Sequence, residues 1–410
     1  METHLASFIK GTADGNEAEA ILRSCVHCGF CNATCPTYQL LGDELDGPRG
    51  RIYLIKQVLE GATVTSKTRS HLDRCLTCRN CESTCPSGVS YGRLVDIGRK
   101  VVEDRLPGAR PVLQRLIRLA LREGLTRRRL FNPAMRLGQA LRPMLPAALQ
   151  AKVPLRRHAG VRPKTAHARK MLLLEGCVQP AMSPNINAAT ARVLDAVGIE
   201  LIVAPKAGCC GAIRQHLDDH HGALDDMRRN IDAWWPHIHR GVEALVITAS
   251  GCGSIVKDYG HLLRHDPMYA AKAERVSALA RDVCEILPEF ITQLLPRLRP
   301  SGSRVAWHPP CSLQHGQQIR GKVEGLLQAA GIDVLLCADS HLCCGSAGTY
   351  SVLQPALSKQ LRDNKLVSLA ALRPGMIVSA NIGCVTHLQS GTETPVRHWI
   401  ELLDSMLLPA

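Results

Sequence analysis

The sequence predicts an α+β multidomain fold in which a helical N-terminal domain is followed by two α/β cysteine-rich lobes. Three observations predict it. A four-cysteine pattern occurs twice near the N-terminus, between segments of helical rather than alternating periodicity. A larger pattern built around adjacent cysteines occurs twice in the remainder. Each copy of that larger pattern alternates short apolar, β-branched runs with helical periods, the signature of βαβ units and a mainly parallel sheet. At 410 residues the chain exceeds one domain, and 45% hydrophobic with 3% aromatic content points to cores of Leu, Val, Ile and Ala.

The N-terminal domain, residues 1–104, is expected to be helical because positions 17–24, 49–60 and 69–74 repeat apolar residues at helical spacing. Between them lie Cys25, Cys28, Cys31, Cys35 and Pro36, and fifty residues later Cys75, Cys78, Cys81, Cys85 and Pro86. Both copies read C-x-x-C-x-x-C-x-x-x-C-P. The N-terminal residues Met1, Glu2, Thr3 and His4 carry neither a basic nor an apolar leader, which predicts a cytoplasmic protein. Eighteen cysteines in that reducing compartment do not make a disulfide framework, and their clustering points to metal. Three cysteines spaced by two residues can wrap three irons of a cubane from one loop, and the fourth ligand must come from elsewhere. In two-cluster ferredoxins the cysteine before Pro ligates the other cluster. The expected sets are therefore Cys25, Cys28, Cys31 and Cys85 for one [4Fe-4S] cluster, and Cys75, Cys78, Cys81 and Cys35 for the second. Gly29 and the pair Ser87 and Gly88 leave room for backbone amides near the sulfurs. Between the motifs, Asp46, Gly47, Pro48, Arg49, Gly50 and Arg51 read as a turn and helix start, with Arg49 or Arg51 supporting a cluster's negative charge as the sharper alternative.

The larger pattern pairs Cys177, Cys209, Cys210, Gly211 and Cys252 with Cys311, Cys343, Cys344, Gly345 and Cys384. The step from the first cysteine to the CCG triplet is thirty-two residues in both copies. Apolar runs at 171–174 and 305–307 precede the first cysteines, and runs at 244–248 and 376–378 precede the last ones. These define lobes at 168–296 and 302–407. Cysteines at strand ends fit the usual position of α/β sites. Four thiolates per lobe suit an additional iron-sulfur cluster, zinc or a thiol redox centre. His387 stands as a further candidate ligand, while His308 reads as structural and His216, His220 and His221 as exposed bystanders. Cys284 and Cys337 lack partners at motif spacing and read as ordinary buried thiols.

Residues 105–167 form a basic linker. Positions 99–170 hold nineteen Lys or Arg against three acids, more than the whole-chain excess of fourteen. Over 111–123, Leu113, Leu116, Ile117, Ala120 and Leu121 share one helical face, with Arg115, Arg118 and Arg122 on the other. Such a helix docks on a partner subunit or, peripherally, on an anionic membrane surface. Nucleic acid is not expected, because stacking aromatics are nearly absent there. No stretch matches the roughly 20 apolar residues of a membrane span.

The lobes resemble the cysteine-rich CCG domains of heterodisulfide reductases and respiratory dehydrogenase subunits, whose pattern ends in C-x-x-C. This sequence departs from that ending, with Ile255 in the first lobe and His387 in the second. The whole chain resembles the iron-sulfur subunits of bacterial glycolate oxidases. The likeness rests on the strings 25–31, 37–45, 249–253, 343–350 and 396–400 as well as on the two repeats. The resemblance implies a complex in which a flavin subunit, carrying FAD, oxidises glycolate to glyoxylate and electrons leave toward a quinone. No G-x-G-x-x-G opens a helix after a strand, which agrees with the flavin lying on another chain. The expected role is thus a non-flavin subunit, inactive alone, with no catalytic residues of its own. Rival readings are the equivalent subunit of a lactate or glycerol 3-phosphate dehydrogenase, a thiol-disulfide reductase acting at the CCG lobes, and a zinc-stabilised scaffold.

Overall fold

The computed structural model describes residues 1–106, 110–150 and 152–408. It divides into two compact units, Met1–Arg118 with His341–Lys365, and Leu119–Ser340 with Leu366–Ala410.

The first unit is helical, with no strand among its described residues. Its helices are α1 (Ala13–Ser24), α2 (Phe30–Ala33), α3 (Pro36–Leu41), α4 (Pro48–Leu59), α5 (Ser66–Asp73), α6 (Asn80–Thr84) and α7 (Tyr91–Arg105). Their starts are legible in the residues. Thr12 and Thr65 accept from the Gly15 and Thr68 amides as N-caps, and Pro36 and Pro48 open α3 and α4, where proline's missing N–H costs no hydrogen bond. The fully buried Leu22, Ile55, Leu59, Leu72, Leu94 and Val95 come from α1, α4, α5 and α7 and form one core, to which Cys25, Cys75 and Cys81 also belong. The motif cysteines therefore sit at the rim of the hydrophobic packing.

The second unit contains two four-stranded parallel sheets. One is built from β1 (Arg169–Leu174), β2 (Ile199–Val203), β3 (Leu245–Ile247) and β4 (Ala280–Asp282) in the order β2-β1-β3-β4. The other uses β5 (Arg304–His308), β6 (Asp333–Leu336), β7 (Met376–Ser379) and β8 (Val396–His398) in the order β6-β5-β7-β8. The identical order shows the sequence repeat as a repeat of topology. Met171, Leu173 and Val246 of the first sheet share one buried cluster with Val305, Trp307 and Val378 of the second. The opposite face of the first sheet, through Leu172, Leu174 and Ile247, packs on Trp234 and Tyr259. Strands covered on both faces read as continuous apolar runs rather than alternation. The lobes are also joined by polar contacts, Ser250 Oγ to Ser312 Oγ at 2.7 Å and His398 Nε2 to Thr248 O at 2.9 Å.

The two sheets fall inside the expected intervals 168–296 and 302–407, but residues 341–365 cluster with the helical unit. The expected linker 105–167 carries α8 (Val112–Thr126) and α9 (Arg128–Ala140); its positions 107–109 and 151 lie outside the described residues. On α8 Leu113, Leu116 and Leu119 face outward, Leu113 at 69% and Leu116 at 56% exposed, while Leu121 and Leu125 are partly covered. The arginines Arg122 and Arg128 pair instead with Asp219 and Glu175 of the same unit.

Candidate metal centres

The two motif loops of the helical unit share one backbone device. His27 and Thr77 both take left-handed conformations, at φ 58° and 53°, and so do Gly29 and Arg79, at 87° and 60°. These two reversals per loop turn the C-x-x-C-x-x-C sulfurs inward. Gly29 takes the conformation freely, and a Cβ there would lie 2.7 Å from Arg49 Nη1. Arg79 pays about 1–2 kcal/mol for it, offset by its ion pair to Glu82 at 2.7 Å, whose other oxygen accepts from the Gly92 amide.

Cys25, Cys28 and Cys31 line a hollow open to solvent, together with Cys85 and Cys81 from the second motif. Cys25 is buried and Cys28 exposed. Burial, with Cys25, Cys28 and Cys85 as neighbours, pushes the Cys31 thiol up to about 11. The other group forms around Cys81, which burial and then Cys78, Cys75 and Cys35 push well above the ordinary thiol range. The chain thus brings together three cysteines of each motif with the last cysteine of the other. Thiols so crowded resist ionising together unless a cation takes up their charge. Soft thiolate sets of this kind select iron-sulfur clusters or zinc, and four per group is the ligand count of a cubane.

The second group has more polar company. Cys75 Sγ receives the Thr77 amide at 3.4 Å and the Tyr91 hydroxyl at 3.6 Å, and Cys35 Sγ lies 3.3 Å from Thr37 Oγ1. Arg51, 1% exposed, reaches Thr37 Oγ1 with both terminal nitrogens at 3.2 Å and donates Nε–H to His71 O. Arg49 has a different fate, an ion pair to Glu44 at 2.6 Å. Tyr91 carries no motif signal; only its bond to Cys75 shows it.

In the first lobe the strand order reverses between β1 and β3, the switch point where α/β sheets place their sites. Cys177 follows β1, Cys209 and Cys210 follow β2, and Cys252 follows β3. Their thiols neighbour one another, Cys177 and Cys210 beside Cys209 and Cys252 beside Cys210. Interaction with Cys177, Cys210 and the Gly211 amide holds Cys209 well below the usual thiol range, while Cys177 and Cys210 are raised. Gly211 has φ 92°. Ile255, where the related CCG domains have a last cysteine, packs on the core of this lobe.

In the second lobe Cys311 and Cys384 are buried just beyond β5 and β7. Cys343 and Cys344 belong to the segment grouped with the helical unit. There Gly345, at φ 84°, donates its amide to Cys343 Sγ at 3.4 Å, and Ser358 Oγ donates to Gly345 O. His387 and His308 are buried, as are Cys284 and Cys337; His216 and His221 are exposed and His220 partly so.

Residues 21–89 match a 4Fe-4S dicluster domain, and residues 171–257 and 305–389 each match a cysteine-rich domain. The chain is 54% identical over 409 residues, 99% of both proteins, to the glycolate oxidase iron-sulfur subunit of Escherichia coli K12. It is 28% identical to the probable glycolate oxidase iron-sulfur subunit of Bacillus subtilis, over 92% of this chain and 90% of that one. Lactate utilization protein A of Geobacillus thermodenitrificans is 24% identical over 57% of this chain and 98% of its own length. A crystal structure of a hypothetical protein from Helicobacter pylori shares the fold, with a TM-score of 0.58 at 10% identity, covering 97% of this chain and 73% of that one. The paired motifs, the two topologically identical lobes and the full-length likeness agree: the chain belongs to the family of glycolate oxidase iron-sulfur subunits.

Proposed function

We propose that this chain is the electron-transfer subunit of a glycolate oxidase complex, passing electrons from an FAD-bearing subunit that oxidises glycolate to glyoxylate toward a quinone-type acceptor. The observation that carries it is the 4Fe-4S dicluster domain match at residues 21–89 within a chain alike along its full length to a glycolate oxidase iron-sulfur subunit, with Cys85 beside Cys31 and Cys35 beside Cys81 in support of crossed sets. Cys25, Cys28, Cys31 and Cys85 would hold one [4Fe-4S] cluster, and Cys75, Cys78, Cys81 and Cys35 the other. When bound, such clusters supply one-electron uptake and release. The chain's residues do the rest. Exposed Cys28, with Val26 at 69% and Phe30 at 62% exposed, presents one sulfur set where a partner can approach. Buried Cys35, Cys75 and Cys81 withhold the other from water.

Cys177, Cys209, Cys210 and Cys252 are a proposed additional site for a further iron-sulfur cluster or zinc, supported by their position at the strand ends and by thiols that neighbour one another. Cys311, Cys343, Cys344 and Cys384 are proposed likewise on the repeat of the pattern. No helix among the described residues is long and apolar enough to cross a membrane. The outward leucines of α8 support docking on a flavin subunit or, peripherally, on the cytoplasmic face of a membrane.

The test is anaerobic copurification of the tagged chain with its flavin subunits, followed by iron and sulfide analysis and substrate-dependent dye reduction. Iron of about eight atoms per chain corresponds to two cubanes, and a larger count assigns metal to the lobes. Turnover with glycolate but not with lactate or glycerol 3-phosphate is expected. Material free of iron, or reduction driven only by another hydroxy acid, would overturn the reading.

A further inference from the structure

The two cysteine sets of the helical unit differ in the charge built around them. Beside the open hollow, the guanidinium of Arg49 is matched one to one by Glu44, and the Met1 ammonium donates to Cys25 O at 2.8 Å. Around the buried set one cation is itself enclosed. Asp46, wholly buried, faces three partners: Arg74 Nη1 at 2.8 Å, His71 Nδ1 at 3.0 Å and Arg51 Nη2 at 3.5 Å. Two guanidiniums, Arg51 and Arg74, thus share the one carboxylate. Arg51 is the one turned toward sulfur, through Thr37 Oγ1, which lies 3.3 Å from Cys35 Sγ.

Two phenols complete the surround. Tyr91, fully buried, donates to Cys75 Sγ. Tyr350, of the segment grouped with this unit, is buried with Cys75, Arg51 and Cys343 among its surroundings. Its hydroxyl has no hydrogen-bond partner among the described residues. A buried polar group without a partner is costly, and an acceptor such as a cluster sulfur would satisfy it.

Reduction adds one negative charge to an already anionic cluster, and burial opposes that addition. A cation and hydrogen bonds to the sulfurs favour it. We propose that Arg51, assisted by Tyr91 and Tyr350, is the potential-setting residue of the cluster held by Cys75, Cys78, Cys81 and Cys35, offsetting its burial so that it accepts an electron. The step is a one-electron reduction, with the electron supplied by the reduced flavin of the partner chain by way of the exposed set and no proton bound at the cysteines. This rests on the function proposed above.

The test is an EPR-monitored redox titration of the intact complex, the buried cluster's signal being identified by its loss in Cys78→Ser. Arg51→Gln is expected to lower that cluster's potential by at least a tenfold change in its reduction equilibrium, about 59 mV for one electron, and to leave the exposed cluster unmoved. Arg51→Lys restores most of the shift. Tyr91→Phe and Tyr350→Phe move it the same way by less. Unchanged potentials in Arg51→Gln with both clusters loaded would overturn the proposal while leaving the electron-transfer reading intact; a wild-type chain without clusters would sink that reading instead. Should Arg51→Gln fail to load the buried cluster, the two phenylalanine variants decide, and no shift in either refutes the proposal.

Discussion

The helical unit and the first lobe both gather cysteines, but they stand in opposite relation to the hydrophobic core. In the helical unit the packing stops at the sulfurs, and the Cys25 set encloses a hollow. In the first lobe the sulfurs cap a finished sheet, with Trp234 and Tyr259 packed beneath it, and lie beside one another. The difference teaches that a thiol set can complete a fold or merely decorate one. Metal binding to the first kind is folding free energy, whereas the second kind keeps its architecture without it.

The strongest way to break this comparison is to remove the metal. Chelation under mild oxidation is expected to abolish the helical unit's cooperative unfolding transition, while the parallel-sheet unit still melts as before; calorimetry with far-UV circular dichroism reads both. Cys81→Ser should reproduce the first effect, and Cys210→Ser should leave both transitions in place with a loss of no more than about 2 kcal/mol, the scale of one buried polar contact.

Next in size are the two CCG glycines. Both need positive φ, but a Cβ at Gly345 would sit 2.5 Å from Ser358 O, against 3.0 Å from Ala223 O at Gly211. Gly345→Ala is expected to cost ~3 kcal/mol and Gly211→Ala nearer 1–2 kcal/mol. Since Gly345 belongs to the helical unit, its loss should appear in that unit's transition and Gly211's in the other.

A smaller effect distinguishes the units by pH. Burial pushes His398 down to about 4, its backbone hydrogen bonds to Thr248 and Ala380 acting against that shift. The unfolded chain therefore takes up this proton first as pH falls, and the stability His398 contributes is full above about pH 6.5 and lost toward pH 4. Between pH 7 and pH 5 the loss is about 2 kcal/mol. Asp226 and Asp282, raised by burial to about 6, act with the opposite sign over this window. The measurement is accordingly the difference between wild type and His398→Gln in urea unfolding at the two pH values, expected to appear in the sheet unit alone.

The smallest expected change concerns α8. Leu113→Ser with Leu116→Ser should alter stability by less than about 0.5 kcal/mol, because both side chains are already exposed. Binding to flavin subunits or to anionic vesicles should weaken measurably in pull-down or flotation assays.

Much of this was legible in the residues. The step of thirty-two between Cys177 and Cys209 and between Cys311 and Cys343 announced two lobes of one topology, and β1, β3, β5 and β7 coincide with the apolar runs before the cysteines. Helices α4 and α5 lie where the helical period placed them. The orientation of α8 was not legible, because an amphipathic pattern says which residues share a face and not which face meets the protein. Arg51 stood beside Arg49 as a candidate to support a cluster's charge, with nothing in the string to choose between them, and Tyr91 had no signal at all. Their importance comes from contacts across the chain, such as Arg51 to His71 O and Tyr91 to Cys75 Sγ, which no local periodicity encodes. The grouping of 341–365 with the helical unit was equally hidden, since its sequence neighbours on both sides build the second sheet.

That grouping orders events during synthesis. Asn80 Nδ2 donates to His341 O as well as to Thr34 O, so the early cysteine loops share bonds with a stretch synthesised 261 residues after Asn80. The helical unit therefore begins to form before the segment that completes it exists, and its native contacts close only after both sheets have been started.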